Sequence, residues 1–233
     1  MIGIISANHL RPEVLHLWCL SIQRLRKLGI PLKAAVAADS NQGFVRDYDI
    51  DFLPRPNNPV SQKFQYALNH IQKYHPKAIM VLPSDDLLSD SAFLALHNKV
   101  CFEDFDSAIM SEVFFFHPTV RTQDELLYFK LPKLATGAGL LINSRVLDRL
   151  KWKLYIQNKD RGLGGMIYKR LNSIKATIVP IDEPLMVDIK TETNMNSYKF
   201  WEKKPTVKVN SNLFFDFISP EEREVLTKMI AHG

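Results

Sequence analysis

Ala78-Ile-Met-Val-Leu-Pro-Ser-Asp-Asp-Leu-Leu88 decides how this chain reads. Its first five residues, Ala78 to Leu82, are an apolar run with the pattern of a strand buried on both faces. The run stops at Pro83-Ser84 and delivers two adjacent carboxylates, Asp85 and Asp86, to the C-terminal end of that strand. In an open α/β sheet this edge is where ligands bind. A carboxylate pair repels itself unless a cation sits between it and a further negative group. Mg²⁺ or Mn²⁺ bridging to a diphosphate meets that need. The same residues also read as a strand-end turn, with Ser84 or Asp86 capping a helix from Leu87 onward.

Outward from this stretch, strand and helix signals alternate. Ile2 to Ser6 reads as the first strand. Arg11-Pro12-Glu13 then opens a helix with Pro in its first turn, which runs through Leu28 and ends at Gly29. Lys33 to Ala38 is a second buried strand that stops at Asp39-Ser40. Asp51-Phe-Leu-Pro is a short third, followed by the turn-rich Arg55-Pro-Asn-Asn-Pro59. Phe64, Ala67, Leu68 and Ile71 give Ser61 to Tyr74 a helical period, and Ser91 to Val100 has one too. Ser107 to Phe115 reads as one further strand. This alternation predicts βαβ units and a mostly parallel sheet.

The second half differs. Pro118, Pro132 and the kink at Gly137-Ala-Gly139 precede a strand at Leu140 to Asn143 and a helix at Arg145 to Leu150. Ile178 to Ile181 is a late strand. A polar and aromatic stretch from Lys190 leads to a last helix, Pro220 to Ile230, with Ser219 as its cap. One domain over 1–233 is expected, with a nucleotide-binding half at about 1–115 and an acceptor-binding half at about 116–233.

Composition sets the outer bounds. The chain has 233 residues, 46% of them hydrophobic, which is enough for a sizeable core and argues against disorder. No apolar run approaches the ~18 residues that span a bilayer, and Met1-Ile-Gly-Ile-Ile-Ser lacks the basic start of a signal peptide. Cys19 and Cys101 fall in apolar segments, as buried free thiols do in a reducing compartment, so a cytoplasmic location is expected. A net charge of +5 favours an anionic partner: nucleotide, nucleic acid or a membrane surface.

Ser6 with Arg11-Pro12-Glu13, then Asp39-Ser40, Asn58-Pro-Val-Ser-Gln-Lys63, Ser84-Asp85-Asp86 and Gly137-Ala-Gly-Leu-Leu-Ile-Asn-Ser-Arg145 follow in a set order. That series resembles a GT-A type glycosyltransferase, close to family 2, over about residues 1 to 150. The resemblance implies an α/β, Rossmann-like, mostly parallel sheet and a nucleoside-diphosphate sugar donor. Ser6 and Arg11 would then lie on the loop that opens on the donor, and Asp39 would contact its base or ribose. Lys63 would stand beneath its phosphates. Asp86 would hold Mn²⁺ or Mg²⁺, with Asp85 binding directly or through water. Gly137, Gly139 and Arg145 would line the acceptor side.

Each of these residues also has a plainer reading. Lys63 fits a solvated helix face, Asp39 a strand-end turn, the glycines a bend, and Arg145 the first turn of a surface helix. A late residue completes the metal shell in many such enzymes. With no His in Val187-Asp-Ile-Lys-Thr-Glu-Thr-Asn-Met-Asn196, Asp188 or Asn194 would fill that place, and Lys190 would touch phosphate. Inverting members need a carboxylate base. Gly164 and Gly165 stand where the acid is expected, so Asp160 becomes the candidate, with Asp124 or Glu125, a retaining transfer that needs no such base, or loss of activity as the alternatives.

Tyr198-Lys-Phe-Trp-Glu-Lys-Lys204 interleaves aromatic and basic residues and makes Trp201 a candidate acceptor platform. The acceptor would be a glycan or a hydroxylated base in phage DNA, the latter implying a virus-encoded enzyme in a host cytoplasm. Two other classes compete. A nucleotidyltransferase would share the fold and the acids, but the loop Ser6-Ala-Asn-His-Leu-Arg-Pro12 lacks the glycines that class uses. A non-catalytic basic α/β module would use Asp85-Asp86 only as a cap.

Overall fold

A computed structural model describes residues 1–56, 59–118, 125–130, 137–181, 186–191, 203–204 and 206–232. Its larger sheet has seven strands in the order β10-β6-β9-β4-β1-β2-β3. These are β1 (Ile2–Ala7), β2 (Leu32–Ala38), β3 (Asp51–Pro54), β4 (Ala78–Val81), β6 (Ser107–Met110), β9 (Leu140–Asn143) and β10 (Ile178–Ile181). β1 pairs in parallel with β2 and β4, β2 with β3, and β10 with β6. β9 alone runs the other way, antiparallel to both β4 and β6. The α/β, mostly parallel architecture expected from the sequence is the one observed.

Helices cover both faces, which is why the central strands are apolar on both. On one face, α1 (Pro12–Arg26) brings Leu15, Trp18 and Ile22, and α3 (Asp90–Phe102) brings Phe93 and Leu96, onto Ile2, Ile4 and Met80. On the other, α2 (Val60–Gln72) and α5 (Leu163–Ser173) place Phe64, Leu68, Ile71, Ile167 and Leu171 against Ile5, Ile79 and Ile142. The short α4 (Ser144–Arg149) follows β9. Cys19, on α1, is a free and fully buried thiol. Among the described residues no helix is long and apolar enough to cross a membrane.

A second sheet has the order β12-β8-β7-β11-β5, made of β5 (Asp86–Leu88), β7 (Glu112–Phe116), β8 (Glu125–Lys130), β11 (Met186–Ile189) and β12 (Val207–Asn210). It corrects two expectations. The run 107–115 is not one strand: the chain leaves the first sheet at Met110 and enters the second at Glu112, with the Ser111 amide and hydroxyl both donating to the Ile181 carbonyl at 3.1 Å. Nor do Ser84 or Asp86 cap a helix. Asp86 begins β5, and the helix cap is Ser89, whose hydroxyl accepts from the Ala92 amide at 3.1 Å.

The C-terminal helix α6 (Pro220–His232) brings Leu226 into one buried cluster with Phe116 and Phe214. Its start is a capping box. The Glu222 amide donates to the Ser219 hydroxyl at 3.2 Å, and the Ser219 amide donates to Glu222 Oε2 at 2.6 Å. That buried carboxylate also receives Arg24 Nε of α1 at 2.8 Å, tying the helix to the main fold.

Candidate functional site

The crossover from β4 to β5 gathers three carboxylates. Asp85 lies in the turn, Asp86 starts β5, and Asp188 of β11 is the direct cross-strand partner of Asp86. Opposed like charges on paired strands destabilise the pairing, so their counter-ions matter. Arg11, immediately before α1, donates to Asp85 Oδ2 at 2.9 Å. Lys190 donates to Asp188 Oδ2 and stands 5.3 Å from the centre of the Phe115 ring. Among the described residues Asp86 has no such partner. It is 3% exposed, and its Oδ1, like Oδ1 of Asp188, is buried with no hydrogen bond among the described residues.

Electrostatics follow this pairing. Burial raises the Asp86 carboxyl well above its ordinary value, and Asp188 and Asp85 push it the same way. Burial likewise pushes Asp188 up to about 6, opposed by Lys190. For Asp85 burial acts upward too, but Arg11 and Lys190 outweigh it and hold the group below its ordinary value. Among the described residues, then, Asp85 is paired with Arg11 and Asp188 with Lys190, while Asp86 faces Asp188 with no cation of its own. The donor set suits a hard divalent ion, since Mg²⁺ binds through one or two carboxylates together with substrate phosphates and water. No group of three or more His, Cys, Asp or Glu suited to a metal lies among the described residues, so phosphate oxygens and water would have to complete the shell.

A second polar cluster organises the loop between β1 and α1. Asp39, at the end of β2, accepts from the Leu10 amide at 3.1 Å and lies 2.8 Å from His9 Nδ1. Lys63 of α2 is fully buried and donates to the Asn8 carbonyl at 2.6 Å and to Asp39 at 3.3 Å. Asn8 Nδ2 donates to Gln42 at 3.0 Å, while its Oδ1 accepts from the Ser84 hydroxyl at 2.8 Å. Leu10 turns through a left-handed conformation, φ 51°, just ahead of Arg11. The loop that aims Arg11 at Asp85 is therefore held from three sides.

Several sequence-based expectations change here. Ser6 is not on the loop: β1 continues to Ala7, and the Ser6 side chain is fully buried on the face of Ile2 and Ile4. Lys63 is neither solvated nor free for phosphate, because its ammonium is committed to Asn8 and Asp39. Gly139 serves packing. Its φ is +63°, and a Cβ there would lie 2.7 Å from Met110 Cγ and 2.9 Å from Met186 Sδ. Gly137 lies against α5, where a Cβ would meet Gly164 Cα at 3.4 Å, an ordinary contact, so packing there does not demand glycine.

Arg145 is on the wrong edge. Because β9 is antiparallel, Asn143 lies opposite Ala78, at the start of β4 rather than its end. There Arg145 pairs with Asp104 and Asp106 on the surface.

Asp160 is exposed and on the expected edge, where its Oδ1 accepts from the Val60 amide at the start of α2 at 2.9 Å. Trp201, Asn194 and Asp124 lie outside the described residues, as does the side chain of Glu125. Sequence reasoning missed Asn8 and His9 as loop fasteners. The visible signal was their place in a polar run directly after a buried strand.

No protein-family model matches the sequence, and no curated protein matches it. Solved structures do match. S. aureus TarS residues 1–349 superposes with a TM-score of 0.59 over 81% of this chain at 11% identity. The same protein in complex with UDP gives 0.57 over 99% at 10% identity, and in complex with UDP-GlcNAc 0.56 over 99% at 11% identity. This chain covers 60%, 64% and 65% of those three structures, respectively. TarS is a GT-A glycosyltransferase, and at this identity the likeness speaks to architecture. The chain has the GT-A fold, with a mostly parallel sheet flanked by helices and a second, mixed sheet.

Proposed function

We propose that this chain transfers a sugar from a nucleoside-diphosphate sugar to a hydroxyl acceptor, with Mn²⁺ or Mg²⁺ held by Asp86 and Asp188. The observation that carries this reading is the opposed Asp86–Asp188 pair, with two unpartnered buried oxygens at the C-terminal edge of the sheet. When bound, the cation neutralises the charge that grows on the leaving diphosphate.

The chain's own residues do the rest. Arg11 fixes Asp85 and offers positive charge beside the phosphates, and Lys190 offers more from β11. Asp39, Lys63 and Asn8 hold the loop under the nucleoside, with Asp39 nearest its base or ribose. Asp160 takes the acceptor's proton in an inverting transfer: one oxygen is fixed by the Val60 amide and the other carries no hydrogen bond among the described residues. Gly137 keeps the wall by α5 low enough for an acceptor, and Trp201 is its stacking platform. The complexes of TarS with UDP and UDP-GlcNAc make uridine donors the first to test. The net charge of +5 favours an anionic acceptor, glycan or nucleic acid.

The test is thermal unfolding against UDP, GDP, CDP, ADP and their sugar conjugates, with and without each metal. A ligand at ~100 times its dissociation constant adds about 2.7 kcal/mol, a shift of several degrees. A shift with one nucleotide that needs metal and vanishes in Asp86→Ala is expected. No shift with any nucleotide overturns the reading and leaves the chain a basic binding module.

A further inference from the structure

We infer that Lys190 is a built-in counter-ion that competes with the divalent cation for Asp188, so that the cation binds well only together with a diphosphate that takes over the ammonium. This rests on the metal site proposed above. Lys190 is 5% exposed and is hydrogen-bonded to the same carboxylate that faces Asp86 across the strand pair. A divalent ion placed on Asp188 puts its charge beside an ammonium that has little water to shield it. Among the carboxylates in reach, Asp85 already receives Arg11.

The charge count points the same way. Among the described residues Arg11 pairs with Asp85 and Lys190 with Asp188, and Asp86 has no ion-pair partner of its own. One such charge is a weak lure for a dication that must also pass a resident cation. A diphosphate brings the missing negative charge and gives Lys190 new acceptors. Diphosphate and cation therefore bind with positive coupling, and Lys190 is the positioning residue that sets its size. Buried coupling of this kind amounts to roughly 5- to 150-fold in affinity and acts equally on both ligands.

The first readout is Mn²⁺ binding without nucleotide, followed by the loss of the free-ion electron paramagnetic resonance signal. Lys190→Met removes the competitor and keeps the stem, so Mn²⁺ alone should bind about tenfold tighter than to the wild type. Lys190→Arg keeps the charge and should behave as wild type, and Asp86→Asn placed on Lys190→Met should abolish the gain. Should Lys190→Met not fold, Lys190→Gln gives the same comparison.

Equal Mn²⁺ affinity in wild type and Lys190→Met, with Asp86→Asn still losing the ion, overturns this inference and leaves the proposed function standing. Failure of every variant to take up Mn²⁺ or Mg²⁺, with or without UDP, GDP, CDP or ADP, overturns both.

Discussion

Two buried lysines, Lys63 of α2 and Lys190 just after β11, answer burial in opposite ways. Lys63 faces a single carboxylate, Asp39, and a backbone carbonyl, and burial lowers its pKa below the ordinary lysine value despite that partner. Lys190 is buried too, yet Asp188, Asp85 and Asp86 outweigh desolvation and raise it. What decides the sign is how many negative charges share the site, because each one opposes the same desolvation cost. The carboxylates divide in mirror fashion. Burial acts to raise Asp39, but His9, the Leu10 amide and Lys63 together hold it below its ordinary value. Asp86 and Asp188 have too few partners and stay high. One cluster is balanced and holds a loop; the other, among the described residues, leaves two buried carboxylate oxygens without a hydrogen bond.

The largest effect that can break this contrast is in turnover. Asp86→Asn should cut sugar transfer at least ~100-fold, the scale of losing metal stabilisation of a leaving phosphate. The metal-free variant should unfold at a higher temperature than the wild type, since it no longer buries an uncompensated charge. Lower stability in Asp86→Asn would mean that a cation or donor already satisfies that oxygen.

Next in size is pH dependence, with opposite signs in the two clusters. Asp188 is raised to about 6 in the fold, so its contribution is full below the unfolded value of 3.8 and is lost as pH rises through about 6. In metal-free protein this amounts to on the order of 2 kcal/mol between about pH 4 and 6, and Asp188→Asn should flatten it. Asp39 is lowered, so its contribution is present above 3.8 and is lost as pH falls below it. Asp39→Asn should blunt that acid limb. Unfolding midpoints across pH for the two variants separate the clusters, and matching profiles would dissolve the comparison.

Lys63→Met sharpens it further. It leaves the Asn8 carbonyl without its donor, at a cost of about 2 kcal/mol in urea unfolding, and it weakens donor binding by loosening the loop that carries Arg11. Gly139→Ala should cost about 1–3 kcal/mol through its positive φ and the clash with Met110 and Met186. The smallest effect belongs to Arg145→Ala, with little change in unfolding midpoint and with nucleotide binding unchanged, because its ion pairs are exposed and on the far edge. Loss of binding there would restore it to the site.

Much of the first half was legible in the sequence. Ile2, Ala34 to Ala38 and Ala78 to Leu82 are apolar without interruption, and a strand buried on both faces has no other pattern to show. Pro12, Gly29 and Ser219 mark helix ends by local chemistry alone. The second sheet was not legible in the same way. Asp86-Leu-Leu88 and Met186-Val-Asp-Ile189 are three and four residues long, too short for a period to stand out. Phe114 and Phe116 look continuous with the strand before them because Ser111 alone marks the crossing.

The sequence by itself determined that buried strands alternate with amphipathic helices, and that Asp85 and Asp86 stand at a strand's C-terminal end. Those are statements about neighbours along the chain, and local sterics and periodicity decide them. Only the tertiary structure decided that Asp188 faces Asp86, that Lys190 and Arg11 are the counter-ions, that Lys63 is spent on Asn8 and Asp39, and that Arg145 lies on the opposite edge. Each of those depends on strand order and direction, above all on β9 running antiparallel and on β4 crossing into the second sheet. Charges 74 and 102 residues apart in sequence meet only when that topology is fixed.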